Sequence, residues 1–347
     1  MTEPFAGWPV VLGEVTAGRD LDPALAHAAM GEILAGDATP AQIAGFVVGL
    51  RMKGETVEEL VALRQAMLDA AERITLPDDI EAVDTCGTGG DRAGTINVSS
   101  IAALVLAGGG VSVLKHGNRA SSSQCGSADV YEVLGMAIDL GPEKVAASVV
   151  ESGFGFAMAP RFHASMRHAG PTRKELGIPT AFNILGPIAN PAGVRRQVVG
   201  VADPGVAEKL LRVLEAAGGV RALVVHGADG LDELTTTTTS AVFELREGAV
   251  STYEVDPTSF GLATAEPDDL LGGTADVNAD AARRVLAGAP GPHRDIVVLN
   301  AAAGFLVADA AADLAEGVAL AQAAIDDGRA EAKLAQVVEL GTRLAAG

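Results

Sequence analysis

DTCGTGGDRAGTINVSS, residues 84–100, follows the apolar pair Ala82–Val83 and leads into an apolar segment with helical character from Ser100 to Ala107. Gly87, Gly89 and Gly90 permit a tight backbone, and a helix starting just beyond them presents its positive end to whatever the loop holds. Two readings fit this stretch taken alone: a glycine turn before an ordinary helix cap, or a cradle for an anion with Asn97, Ser99 and Ser100 as short donors. Its spacing matches neither the dinucleotide fingerprint G-x-G-x-x-G nor a phosphate loop ending in Gly-Lys-Ser/Thr. Asp91 repels a bare phosphate, so inside a cradle it accepts from sugar hydroxyls or helps to hold a metal-bound group.

The alternation begun here continues downstream. Val111–Leu114 reads as a strand, Val130–Leu134 as part of a helix, Phe154–Met158 as a strand, Val206–Ala217 as a helix and Ala222–Val225 as a strand. Val242–Leu245 and Val250–Tyr253 form a hairpin across Glu247 and Gly248, and Thr235–Thr239 suit a strand or its entrance. From about Asp280 the chain is helical, with an alanine-rich buried helix over Arg294–Asp309. Upstream there are only helix signals. Asp22–Pro23 and Thr39–Pro40 are caps followed by proline, Gly36 and Gly54 are stops, and Thr56 with Glu59 is a capping box. The expected fold is α/β: a large α/β domain with a central, mostly parallel sheet, plus a small all-helical domain whose apolar face packs on a second copy of the chain.

Charge narrows the function. The 347 residues are 48% apolar, and 25 cations against 45 anions leave a formal charge of −20. Such a balance repels polyanions, so no nucleic-acid partner is expected. Cys86 and Cys125 make no disulfide framework, which suits a reducing cytoplasm. MTEPFAGWPV lacks the basic and apolar regions of a signal peptide, and no apolar run reaches the roughly 18 residues of a membrane span. No membrane partner is expected.

Three further segments carry polar groups where strands give way to loops. Lys115-His116-Gly117-Asn118-Arg119-Ala120-Ser121-Ser122-Ser123, with Gly126 and Ser127, gathers cations and hydroxyls in an acidic chain, either as a solvated loop or as an anion site. His226-Gly-Ala-Asp229-Gly230-Leu231-Asp232-Glu233 ends on a hard-oxygen pair suited to Mg²⁺, or is a surface acidic turn. Arg173, in RKELG, either forks onto a carboxylate or lies on a solvated helix face. His116, His163 and His226 fit positioning or packing better than acid–base work, and no Cys/His cluster suggests zinc.

Taken in order, DTCGTGGD, NVSS, KHGNRASSS, FAMAPRFHASMRHAGPTRKELGIPTAFNILGPIANP and HGADGLDEL resemble the anthranilate phosphoribosyltransferase family over nearly the whole chain. The resemblance implies transfer of the phosphoribosyl group of 5-phosphoribosyl 1-diphosphate (PRPP) to the amine of anthranilate, with release of pyrophosphate, in tryptophan biosynthesis. It implies Mg²⁺ and a homodimer formed through the helical domain. It also implies a discontinuous division: residues 1–78 with a part near 160–195 are helical, and 79–159 with 196–347 form the PRPP-binding domain. By resemblance, PRPP is held by Gly87, Gly90, Asp91, Thr95, Asn97, Val98, Ser99, Ser100, Lys115, His116, Gly117, Asn118, Arg119, Ala120, Ser121, Ser122, Ser123 and Ser127. Anthranilate is held by Gly87, His116, Asn118 and Arg173, and magnesium by Ser99, Asp232 and Glu233. Lys115 acts electrostatically, and no residue is assigned as acid or base. Ala164 stands where the family often has proline, and Met166 where it sometimes has an aromatic residue. The competing readings are a pyrimidine nucleoside phosphorylase, against which GTGGD and RKELG speak, and a nonenzymatic nucleic-acid-binding relative, against which the charge of −20 speaks.

Overall fold

The computed structural model describes residues 5–120 and 124–346. Four helices open it: α1 Trp8–Thr16, α2 Pro23–Ala35, α3 Pro40–Lys53 and α4 Val57–Asp69. Their starts are where the caps place them. The Asp22 carboxylate accepts from the Ala24 N–H at 2.9 Å. Thr39 with Gln42, and Thr56 with Glu59, form reciprocal capping boxes, which satisfy backbone donors that a helix start leaves open. Gly36 ends α2 at φ 88°, a left-handed conformation that glycine adopts without a Cβ penalty. Ile33, Ile43, Phe46, Leu50, Leu60 and Leu63 are buried together between these helices.

Seven strands follow: β1 Val83–Gly87, β2 Val113–Gly117, β3 Phe154–Met158, β4 Arg196–Gly200, β5 Arg221–Gly227, β6 Ser240–Arg246 and β7 Ala249–Val255. They form one sheet in the order β3-β2-β1-β4-β5-β6-β7, parallel from β3 to β5, with β6 and β7 antiparallel. The expected, mostly parallel sheet is therefore present. The hairpin turns at Glu247 (φ 51°) and Gly248 (φ 79°), positive at both central positions as a two-residue turn between twisted strands requires.

One expectation is corrected, and one strand carried no signal in the sequence. The second strand lies two residues later than its apolar run: Lys115, His116 and Gly117 are paired in register with Phe156, Ala157 and Met158, so they belong to the sheet and not to a loop. β4 was not foreseen, although it is central. It opens with Arg196 and Gln197, which look exposed in sequence, yet Arg196 is buried by ion pairs to Glu81 (2.7 Å) and Asp309 (2.6 Å).

The remaining helices connect and cover the strands: α5 Val98–Gly108, α6 Ser127–Val133, α7 Pro142–Ser152, α8 Ala159–Phe162, α9 Gly170–Leu176, α10 Ala181–Ile188, α11 Ala207–Ala216, α12 Ala275–Leu286, α13 Pro292–Val307, α14 Leu314–Asp326 and α15 Arg329–Ala346. Alternate strand residues go to opposite faces. Val198, Leu223 and Val225 pack under α5, α12 and α13, while Val199, Ala222 and Val224 join the core of α11 and the opening helices. Helices α9 and α10 pack on α3 and α4. Among the described residues no helix is long and apolar enough to cross a membrane.

From β1 the chain winds outward through β2 to β3, then returns to β4 on the other side of β1. The carboxyl ends of β1 and β4 thus flank a topological switch point, the place where open α/β sheets bind ligands.

Candidate active site

Gly87 and Gly200, the last residues of β1 and β4, are paired in register, and Asp232 lies across both. A Cβ on Gly87 would come within 2.3 Å of the Asp232 Oδ2, and one on Gly200 within 1.6 Å of the Asp232 carbonyl oxygen. The Gly89 N–H donates to Asp232 Oδ2 at 2.7 Å, from a turn whose Gly89 and Gly90 have φ of 67° and 92°. Glu233 Oε1 accepts from the Ser99 N–H (3.2 Å) in the first turn of α5, where the helix dipole favours negative charge.

Both carboxyls are pushed up from the usual range, first by burial. The neighbouring charge of Asp91 adds to this for Asp232, and that of Asp232 for Glu233. Lys115 opposes the rise at Glu233. Its side chain is 2% exposed, and its Nζ donates to the Thr85 carbonyl and to Ser99 Oγ (3.3 Å). Asp84 stands beside it on β1, accepting from the His116 N–H at 3.1 Å and from Asn190 Nδ2 at 2.9 Å. Burial raises the Asp84 carboxyl to about 6 against the pull of Lys115.

One ammonium therefore faces several buried carboxyls, more than it can neutralise. Ionising them together is costly away from water, which is why burial pushes them up, unless a cation offsets the charge. Asp232 and Glu233, with the Ser99 hydroxyl, are hard oxygen donors of the kind Mg²⁺ takes together with waters and substrate phosphates. No group of three or more His, Cys, Asp or Glu among the described residues is arranged to hold a metal by itself. The two carboxyls and the hydroxyl, brought together at the carboxyl ends of β1 and β4 and the start of α5, fit magnesium by their chemistry.

Around this centre, several expected residues are fixed by the fold. Thr95 bridges Leu271, and Asn97 ties the 118–126 segment to α12, donating to the Cys125 carbonyl (3.1 Å) and accepting from Asn278 (2.7 Å). Val98 begins α5, and the Ser100 carbonyl accepts from the buried Tyr131 hydroxyl at 2.9 Å. Gly117 faces Ser127, whose Oγ a Cβ there would approach to 2.2 Å. The Asn118 carbonyl accepts from Ser127 Oγ (3.3 Å), and the Ala120 N–H donates to Asp129 (2.8 Å). The Arg119 guanidinium is engaged by Asp129 (2.9 Å) and Glu132 (2.8 Å), so the positive field of this segment comes from Lys115. Ser121, Ser122 and Ser123 lie outside the described residues.

Arg173 belongs to a second group. On α9, its guanidinium lies 4.8 Å over the ring of Phe182 on α10; burial lowers its pKa, and no carboxylate among the described residues forms an ion pair with it. One turn along α10, the Gly186 backbone faces His116, whose ring centroid is 5.2 Å from that of His163. Burial, then His163, hold His116 down to about 3, so the imidazole is neutral at pH 7. His163 bonds the Ala189 carbonyl (2.9 Å) and His226 the Val201 carbonyl (2.8 Å), each a positioning contact.

Sequence reasoning missed the residues that aim the acidic pair. Gly200 carried no signal because β4 was unseen. Asp229, inside the acidic motif, accepts from Thr235 (2.7 Å) and Thr237 (2.5 Å) and so pins the loop that bears Asp232. Asn278 and Asn300 lie on α12 and α13, far along the chain, with no local pattern to mark them.

Known proteins agree with this architecture. A family profile described as "Glycosyl transferase family, helical bundle domain" matches residues 9–71, and "Glycosyl transferase family, a/b domain" matches 79–331. The chain is 50% identical to an anthranilate phosphoribosyltransferase of Rhodococcus jostii over 99% of its own length and 95% of the relative's. The crystal structure of the enzyme of that name from Thermus thermophilus superposes with a TM-score of 0.91 at 41% identity, covering 96% of this chain and 99% of that one. The Saccharomyces cerevisiae enzyme in complex with PRPP and Mg superposes with a TM-score of 0.89 at 26% identity, covering 97% and 98%.

Proposed function

The chain belongs to the anthranilate phosphoribosyltransferase family, and we propose that its PRPP site is the crevice over β1 and β4, with Asp232, Glu233 and Ser99 toward Mg²⁺ and Lys115 beside them. The enzyme transfers the phosphoribosyl group of PRPP to the amine of anthranilate in tryptophan biosynthesis. The observation that carries the site is Asp232 held against Gly87 and Gly200 at the switch point, with Glu233 beside it bonded to the first turn of α5. Anthranilate fluorescence is expected to fall only when PRPP and Mg²⁺ are both supplied; a fall without either one would overturn the reading.

Magnesium, when bound, neutralises charge on the departing pyrophosphate. The chain's own groups do the rest. We assign the phosphate oxygens to backbone N–H groups of the 87–97 turn other than that of Gly89, which Asp232 takes, while the dipole of α5 and the buried Lys115 add fixed positive charge where negative charge develops. The amine of anthranilate is already neutral at pH 7, so orientation matters more than deprotonation. We assign that orientation to Arg173, forked onto the carboxylate, with Asn118, Gly87 and the neutral His116 nearby. Arg173→Ala is expected to raise KM for anthranilate about tenfold or more, the scale of a lost charge-assisted pair, and to leave KM for PRPP nearly unchanged. Equal rises in both would remove this role.

Residues 1–78 with about 160–195 form the helical unit in this reading, and 79–159 with 196–347 the PRPP-binding unit. Packing of α9 and α10 on α3 and α4 supports the division. Val10, Met52 and Ile178, exposed apolar residues of the helical unit, support a homodimer through it. A single 35.0 kDa species at sedimentation equilibrium would remove the dimer. The cysteine usage supports a cytoplasmic location, which fractionation of the source cells would test.

A further inference from the structure

Asn300 sits in the middle of α13, 3% exposed and among alanine, valine and leucine side chains that need no polar partner. A carboxamide there is costly unless its bonds are made. They are made, and mostly to one peptide segment. Asn300 Oδ1 accepts from the Leu234 N–H at 3.0 Å, and Nδ2 donates to the Leu234 carbonyl at 2.8 Å and to the Ile296 carbonyl at 2.9 Å. Leu234 is the residue after Glu233. The amide plane thus grips both backbone groups of the residue that follows the acidic pair, and the Ile296 bond fixes the amide's own orientation within α13.

Gly87 and Gly200 set how closely Asp232 can approach the sheet, but they are only clearance; nothing about a bare Cα prevents retreat. Two residues further along, the segment is held at Leu234 by Asn300. The geometry points to Asn300 as a positioning residue for PRPP binding, which clamps the Glu233–Leu234 backbone so that both carboxylates face the crevice. This rests on the assignment of Asp232 and Glu233 to the PRPP–Mg²⁺ site. A buried amide with three satisfied bonds is rigid in a way that an apolar contact is not.

Asn300→Leu keeps the heavy-atom count and the branching at Cγ and removes all three bonds, and Asn300→Ser removes them without adding bulk. Both are expected to raise KM for PRPP about tenfold or more, by the misplacement of charged ligands, while KM for anthranilate stays within about twofold. They are also expected to weaken the rise in Tm that PRPP and Mg²⁺ together give the wild type. A fall in kcat alone, with both KM values unchanged, is the mark of less folded enzyme and would overturn the clamp. In the wild type, hydrogen exchange at the Leu234 amide is expected to slow further when PRPP and Mg²⁺ are added; no slowing would also overturn it, whatever the variants do. Asp232→Asn separates the two levels. If it loses PRPP binding while the Asn300 variants keep it, the clamp fails and the site stands; if it keeps PRPP binding, the site assignment itself fails.

Discussion

Lys115→Met is expected to lower kcat/KM by about a thousandfold, the upper scale for one preorganised charge at a site of developing charge. The side chain is 2% exposed and cannot be replaced by solvent. Its Nζ reaches the Thr85 carbonyl and Ser99 Oγ, and its charge stabilises the ionised forms of Asp84 and Glu233. Removing it affects stability as well as rate, because a buried ion left without its partner costs about 3–5 kcal/mol. The pH dependence has a definite sign. Asp84 already titrates at about 6, above its ordinary value of 3.8, so the folded state binds its proton more tightly than the unfolded chain. Stability from this group falls as pH rises from about 4 through about 6, and without Lys115 the fall continues to higher pH. The deficit of Lys115→Met in a denaturant melt should therefore be larger at pH 8 than at pH 5. An equal deficit at both would mean that Asp84 and Lys115 do not communicate, and an unchanged kcat/KM would remove Lys115 from the site.

What the sequence made legible follows from the range of the forces involved. Helix caps are local, so Asp22, Thr39 and Thr56 marked their helices within a residue. The hairpin was readable because Glu247–Gly248 sits between two apolar alternations. The glycine turn was readable as a cradle through motifs that lie close together. Strand β4 was hidden because the burial of Arg196 depends on Glu81 and Asp309, more than a hundred residues away in either direction. The strand character of Lys115–Gly117 was hidden for a related reason: a buried lysine looks like a loop residue until its carbonyl and hydroxyl partners are in place. Arg119 illustrates the converse, since a cation beside a serine run suggested a role for its charge that Asp129 and Glu132 already occupy. Long-range partners decide these cases, and one chain read alone does not display them.

Gly200→Ala is the second large effect, and it separates position from chemistry because it alters no polar group. Gly200 and Gly87 have no left-handed backbone requirement; their glycines serve close approach alone. At Gly87 the added methyl would meet the Asp232 carboxylate at 2.3 Å, the far end of a side chain that can rotate away. At Gly200 it would meet the Asp232 carbonyl oxygen at 1.6 Å and its carbon at 2.4 Å, so the backbone itself has to move. A backbone shift at Asp232 carries Glu233 with it against the hold of Asn300. Gly87→Ala is accordingly expected to weaken PRPP binding in the presence of Mg²⁺ about tenfold, and Gly200→Ala by about a hundredfold or more, the scale of an ångström's misplacement. Calorimetric titration with PRPP and Mg²⁺ measures both directly. The order matters more than the size: if Gly87→Ala were the more damaging, the turn would be gripping PRPP chiefly through Gly87 itself, and the acidic pair would not be the element that the two glycines exist to admit.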